Sequence, residues 1–160
     1  MELYLFRHGI AEDAPPGRPD SSRALTEEGR ERSAAVVRMA DAAGVTPSLI
    51  ASSPYARAVQ TAEVAAKEFG WKGELLQLPS LVPHGTPEAV WSDIRDLRDE
   101  TAVVLAGHEP LMSKLAAYLL GAPGLVVDMK KSAMVRIDVG SLGPVPRGVL
   151  RWMIVPKLAQ

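Results

Sequence analysis

Three short stretches carry residue types that can do chemistry on an anion: Phe6-Arg7-His8-Gly9, Ser52-Ser53-Pro54 with Arg57 one helical turn further on, and Gly107-His108-Glu109-Pro110. Each follows a short apolar run. If those runs are parallel strands, their carboxyl ends share one edge of a sheet, where α/β proteins bind ligands. Two of the chain's three histidines then meet two arginines. Loops and helix starts at such an edge present unpaired backbone N–H groups and the positive end of the helix dipole, which favour an anion. An arginine fork makes two parallel charge-assisted hydrogen bonds to phosphate. The expected ligand is a phosphoryl group, gripped by Arg7, Gly9, Arg57 and His108.

The residue types also assign roles. The chain has no cysteine, and it shows neither a serine-elbow glycine pattern nor a P-loop, so the candidate nucleophile is an imidazole nitrogen. His8 fits, because an imidazole attacks only when neutral and the charges of Arg7 and Arg57 disfavour its protonation. His108, protonated, is expected to stabilise the charge that grows on the equatorial oxygens during transfer. Taken singly, each residue has a plainer use. Arg-His-Gly could be an ordinary turn, Arg57 a solvated helix residue, Thr61 a packing residue and His108 a satisfied core histidine. The coincidence of three motifs at three strand ends outweighs those uses. Arg23 is a further candidate contact to substrate, whereas Arg18 is expected to be solvated. His84 reads as a loop residue, the three tryptophans as packing, and Lys130-Lys131 as a charged approach to a strand, with an acidic partner protein as the alternative.

The elements that must position these groups alternate strand and helix. Glu2 to Phe6 reads as a strand. Thr26 to Ala43 reads as a helix with Thr26 as N-cap and Glu27 and Glu28 where the dipole favours acids. Ser48 to Ser52 is a second strand, followed by Ser53-Pro54 as cap and first-turn proline of a helix to Phe69. Glu74 to Leu78 is a short third strand, and Thr86-Pro87 starts a helix to Leu97. Thr101 to Ala106 (TAVVLA) is the most apolar strand, and Pro110 opens a helix to Leu120. Ala133 to Val139 and Val149 to Val155, joined by a glycine- and proline-rich loop, read as an antiparallel pair. Ala14 to Ser22, with three prolines, is a surface loop beside the first motif. The pattern predicts an α/β sheet covered on both faces.

Length and composition bound the rest. At 160 residues the chain is expected to be a single domain, residues 1–160. Eighteen Lys+Arg against nineteen Asp+Glu leave a formal charge of −1, so no global field recruits nucleic acid or an anionic membrane. The absence of cysteine fits a reducing cytoplasm. No run approaches a membrane span, and Arg7 and His8 interrupt the first apolar run before it reaches the length of a signal-peptide core. A soluble cytoplasmic protein is expected, and a monomer is compatible with every motif.

Together Arg7-His8-Gly9, the SPYARAVQT stretch with Ser53, Pro54, Arg57 and Thr61, and Gly107-His108 after TAVVLA resemble the histidine phosphatase superfamily, also called phosphoglycerate mutase-like. Chain length, RALTEEG from Arg23 and the GHEP tetrapeptide resemble its SixA-type branch, the phosphohistidine phosphatases. The resemblance spans nearly the whole chain. It implies a three-layer α/β/α sandwich around a mostly parallel sheet with an antiparallel C-terminal strand pair. It implies that His8 becomes a transient phosphohistidine, that Arg7, Arg57 and His108 surround the phosphate, and that no metal or organic cofactor takes part. Mutase-type members carry a glutamate after the third strand, where this chain reads LPSLVP. Acid phosphatase members keep an aspartate after the second histidine, where this chain has Glu109, a candidate general acid that could equally start a helix.

The expected activity is therefore dephosphorylation of phosphohistidine on a partner protein. Hydrolysis of a small phosphorylated compound is the alternative, and a non-catalytic phosphate-binding module is a remoter one. A zinc hydrolase ligated by His8, His84 and His108 is disfavoured, because arginines beside a cation repel it and no closely spaced ligand pair exists.

Overall fold

The computed structural model describes residues 1–159. Its sheet has six strands, β1 (Glu2–Arg7), β2 (Leu49–Ser52), β3 (Leu76–Gln77), β4 (Ala102–Gly107), β5 (Met134–Val139) and β6 (Gly148–Ile154), in the order β3-β2-β4-β1-β5-β6. Strands β1 to β4 run parallel, and β5 and β6 are antiparallel to their neighbours. The mostly parallel sheet with an antiparallel C-terminal pair is the architecture the sequence pattern predicts.

Side-chain alternation sorts the core into two layers. Leu3, Leu5, Val103 and Leu105 face α3 (Pro87–Asp96) and α4 (Leu111–Leu119), where Trp91, Ile94, Met112 and Leu115 cover them. Tyr4, Phe6, Ile50 and Val104 face α1 (Glu27–Ala42) and α2 (Ala56–Glu68), under Val36, Val37, Ala62 and Ala65. Strand β4 is buried along its whole length, as its unbroken apolar run requires.

Local chemistry sets the helix starts. Thr26 and Thr86 are N-caps whose hydroxyls accept from Gly29 N and Ala89 N. Two expectations need correction. Strand β3 keeps only two residues of the predicted Glu74 to Leu78, since it lies at the sheet edge and Pro79 ends it. Ser53-Pro54 does not cap α2. That helix begins at Ala56 behind Tyr55, which makes no side-chain cap bond; the Ser53 hydroxyl accepts from Tyr55 N, ahead of the helix, and meets His108 Nε2.

Register is what builds the site. Arg7 pairs with Gly107 across β1 and β4, and Ser52 pairs with Ala106 across β2 and β4. His8, Ser53 and His108 are each the next residue along, so three parallel strands deliver them to one carboxyl edge. Backbone bonds from His8 N to Gly107 O (2.9 Å) and from Ser53 N to Ala106 O (2.9 Å) extend the ladder to these residues.

Candidate active site

The two imidazoles lie side by side, 5.1 Å between ring centroids and inclined by 56°. His8 is 7% exposed and His108 is 1% exposed. His8 Nδ1 lies 2.7 Å from Gly9 O. Since a carbonyl only accepts, Nδ1 carries the proton and Nε2 keeps its lone pair. Arg57 Nε donates to that Nε2 at 3.3 Å. Burial first, then the charges of Arg57, Arg7 and Lys131, lowers the His8 pKa to about 4 against the pull of Gly9 O, so its imidazole is neutral at pH 7. The arginines act as the sequence suggested, but burial is the larger cause.

His108 needs a correction. Burial, then His8 and Arg57, pushes its pKa down to about 3, so in the open pocket it is neutral rather than protonated. Its Nε2 lies 2.8 Å from Ser53 Oγ. Ser53 Oγ already accepts from Tyr55 N, which leaves the hydroxyl hydrogen free to point at Nε2. The tautomer in which Oγ donates to Nε2 places the proton of His108 on Nδ1. Ser53, expected at a helix start, instead holds His108 from its place one residue beyond the end of β2.

The loop carrying Gly9 is held from two sides. Gly9 N donates to Thr61 Oγ1 at 3.1 Å, and Thr61 Oγ1 donates to Arg57 O at 2.7 Å. A Cβ on Gly9 would lie 2.7 Å from Gly29 O and 2.8 Å from Ser33 Oγ, so only glycine lets α1 approach this closely. Thr61 thus ties the first motif to the second, beyond the packing role expected of it.

The arginines differ in their engagement. Arg7 Nη1 donates to Met129 O at 2.7 Å, while its Nε is buried without a partner. Arg57, 5% exposed, also donates through Nη1 to Asp20 O (2.9 Å) and through Nη2 to Asp20 Oδ2 (3.0 Å). Asp20 lies in the proline-rich loop, where no local pattern marks it as a partner of Arg57. Burial alone raises its pKa, but hydrogen bonds from Arg57 and Arg23 outweigh that and hold it below its ordinary value. Arg23 bonds Asp20 Oδ1 (3.2 Å) and Glu12 O (2.8 Å), so it braces the loop at the pocket rim and touches neither histidine.

Glu109 bonds the start of α4, while its charge also acts on Arg7 and opposes the lowering of the Arg7 pKa by burial. Its Oε1 accepts from Ser113 N at 2.8 Å, the bond of a helix-start residue. No hydrogen bond joins it to either histidine among the described residues. His84 is exposed on a turn, and the described residues hold no group of three His, Cys, Asp or Glu side chains placed to bind a metal.

Three buried side-chain polar atoms lack partners among the described residues: Arg7 Nε, His108 Nδ1 and Ser52 Oγ. Two of them belong to this cluster and can donate. A buried donor without an acceptor costs about 1–3 kcal/mol, and an anion bound between the histidines and arginines offers the missing acceptors.

A mostly parallel α/β sheet carries, at one carboxyl edge, two buried imidazoles beside a buried Arg57 and a half-buried Arg7, a set of groups suited to an anion. Residues 3–81 match the model of the histidine phosphatase superfamily, branch 1. An uncharacterized protein of Picosynechococcus is 34% identical over 145 residues, covering 88% of this chain and 87% of its own length. The phosphohistidine phosphatase SixA of Escherichia coli K12 is 28% identical over 159 residues, covering 98% and 94%. The solved structure of the protein histidine phosphatase SixA complexed with tungstate superposes with a TM-score of 0.89 at 26% identity, covering all of both chains. The chain belongs to the histidine phosphatase superfamily, in its SixA-type branch. Membership makes phosphatase chemistry the activity this fold serves.

Proposed function

We propose that this protein is a metal-independent phosphatase that removes the phosphoryl group from phosphohistidine on a partner protein, by way of a phosphohistidine on its own His8. The observation that carries the reading is a neutral His8 whose Nε2 lone pair faces Arg57, beside two buried donors, Arg7 Nε and His108 Nδ1, that have no acceptor. Tungstate, bound by the SixA structure of like fold, is a tetrahedral oxyanion of phosphate shape and supports the assignment of the ligand.

In the first step His8 Nε2 attacks phosphorus, and the P–N bond to the substrate imidazole breaks as the bond to His8 forms. Arg7, Arg57 and His108 Nδ1–H hold the equatorial oxygens. Electrostatic support of this kind is worth roughly 10²- to 10³-fold in rate per donor. The phosphoryl dianion also opposes the depression of the His108 pKa, so its binding favours the donor form. The leaving imidazole nitrogen takes its proton from water. In the second step water attacks the His8 phosphoryl group, loses a proton to solvent, and releases inorganic phosphate with His8 restored.

The leaving group is what favours phosphohistidine over a phosphomonoester in this reading. An alkoxide leaving group needs a proton donor, and in this structure Glu109 Oε1 is engaged by Ser113 N, whereas a leaving imidazole can take its proton from water. The test is rapid mixing with a labelled phosphohistidine peptide, followed by alkaline quench. Label is expected on wild type and not on His8→Ala. No label on His8, or sugar phosphates cleaved far faster than the peptide, would overturn the reading.

A further inference from the structure

Beside the catalytic pocket a groove of about 770 Å³ opens from Arg7 and runs to the C-terminal 3₁₀ turn at Pro156–Leu158. That volume exceeds what one phosphorylated imidazole fills. Ile10, Val155 and Pro156 give it an apolar floor, and Arg32, Lys130, Lys131 and Lys157 stand along it. With Arg7 these make five cations against one carboxylate, Asp128, in a chain whose formal charge is −1. The lining is therefore net positive. Arg32 is paired with Glu28 at 2.6 Å, and Lys130 with Asp128 at 2.8 Å. Lys131 and Lys157 have no carboxylate within salt-bridge distance among the described residues, and the field of Lys131 reaches His8.

One wall of the groove is tied directly to the catalytic strand end. Met129 O holds Arg7 Nη1, and Ser132 N donates to both Arg7 O and His8 O at 3.1 Å. The loop that carries Lys130 and Lys131 is thus pinned to the strand end that carries the nucleophile. Whatever lies in the groove is positioned relative to His8.

We infer that this groove is the docking site of the substrate protein, and that it takes an acidic segment with apolar side chains next to the phosphohistidine. This rests on the phosphohistidine-protein reading above. Charge complementarity selects the acid, and the apolar floor selects a polypeptide over a free polyanion. Exposed charge pairs contribute little each and act mainly on encounter and on the choice of partner. The expected effect is therefore on KM and its salt dependence, with kcat preserved.

The test uses two synthetic histidine peptides, phosphorylated chemically, one flanked by glutamate and leucine and the other by lysine and leucine. Wild type is compared with the Lys130→Glu/Lys157→Glu double variant, which leaves Lys131 in place because of its reach to His8. Wild type should favour the acidic peptide by roughly tenfold in KM, a preference that falls as salt screens it. The double variant should lose or reverse the preference while hydrolysing phosphoramidate, which has no flanking segment, at the wild-type rate. Equal KM for both peptides with wild type, or a preference unchanged in the double variant, would overturn the docking inference while phosphoramidate turnover upholds the phosphatase. If a small bisphosphate instead shows the charge-dependent KM, the groove serves a metabolite and the inference also fails. Absence of phosphoramidate and peptide hydrolysis by wild type would overturn the functional reading itself.

Discussion

Replacing His8 by asparagine should make the protein more resistant to acid. The native imidazole titrates at about 4 in place of its ordinary 6.5, with burial as the main cause. Below pH 6.5 the unfolded chain takes up a proton that the folded chain refuses until about pH 4. The unfolded state binds more protons in that window, so stability falls as pH falls through it and is unaffected above it. At about 1.4 kcal/mol per pH unit, the gap amounts to about 3 kcal/mol lost between pH 7 and pH 4. His8 is 7% exposed, so solvent screening removes little of this. His8→Asn keeps a neutral polar side chain and abolishes the titration. Urea unfolding at pH 7 and at pH 4 should show wild type losing about 3 kcal/mol more than the variant. In wild type, the His8 imidazole resonances should stay in their neutral positions through pH 5. Superimposable pH profiles for the two proteins would refute the argument, because they would mean that His8 is not held neutral by burial.

Glu109→Gln should cost about 0.5–1 kcal/mol of stability, because charge is lost at the start of α4 while an acceptor remains for Ser113 N. Its phosphoramidate turnover should stay within a few-fold of wild type, and a loss of 10²-fold or more, measured by phosphate release, would restore it as a general acid. Ser53→Ala removes the partner of His108 Nε2, for a stability loss of about 1–3 kcal/mol by denaturant titration. The freed imidazole should show a changed tautomer signature in nitrogen NMR together with a lower kcat, and an unchanged tautomer would show that Ser53 does not orient His108.

How much of this was legible in the sequence depends on the range of the interactions involved. Strand and helix order came from short-period patterns: TAVVLA for a strand buried on both faces, and Thr26 and Thr86 for helix starts that the structure reproduces with cap bonds. Arg7, His8 and His108 were legible because each sits at the end of an apolar run or just beyond it, and Arg57 because it falls one helical turn past the Ser53-Pro54 break. Such runs end where chain enters or leaves the core.

Tertiary structure decided what those residues do to one another. The pairing of Arg7 with Gly107 brings the two histidines together, and no local pattern encodes which strands become neighbours. Glu109 could face the pocket or the next helix, and it bonds Ser113 N at the start of α4 while its charge still reaches Arg7. Ser53 could cap a helix or hold a histidine, and a partner 55 residues away claimed it. Lys130-Lys131 read as a charged approach to a strand until the fold set them along one groove with Arg32 and Lys157. By itself the sequence determined which chemistry was available, since residue type and local period are written in neighbours along the chain. Proton positions, the charge state of His108 and the path to a partner depend on burial and on distances between remote residues, and only the folded chain sets these.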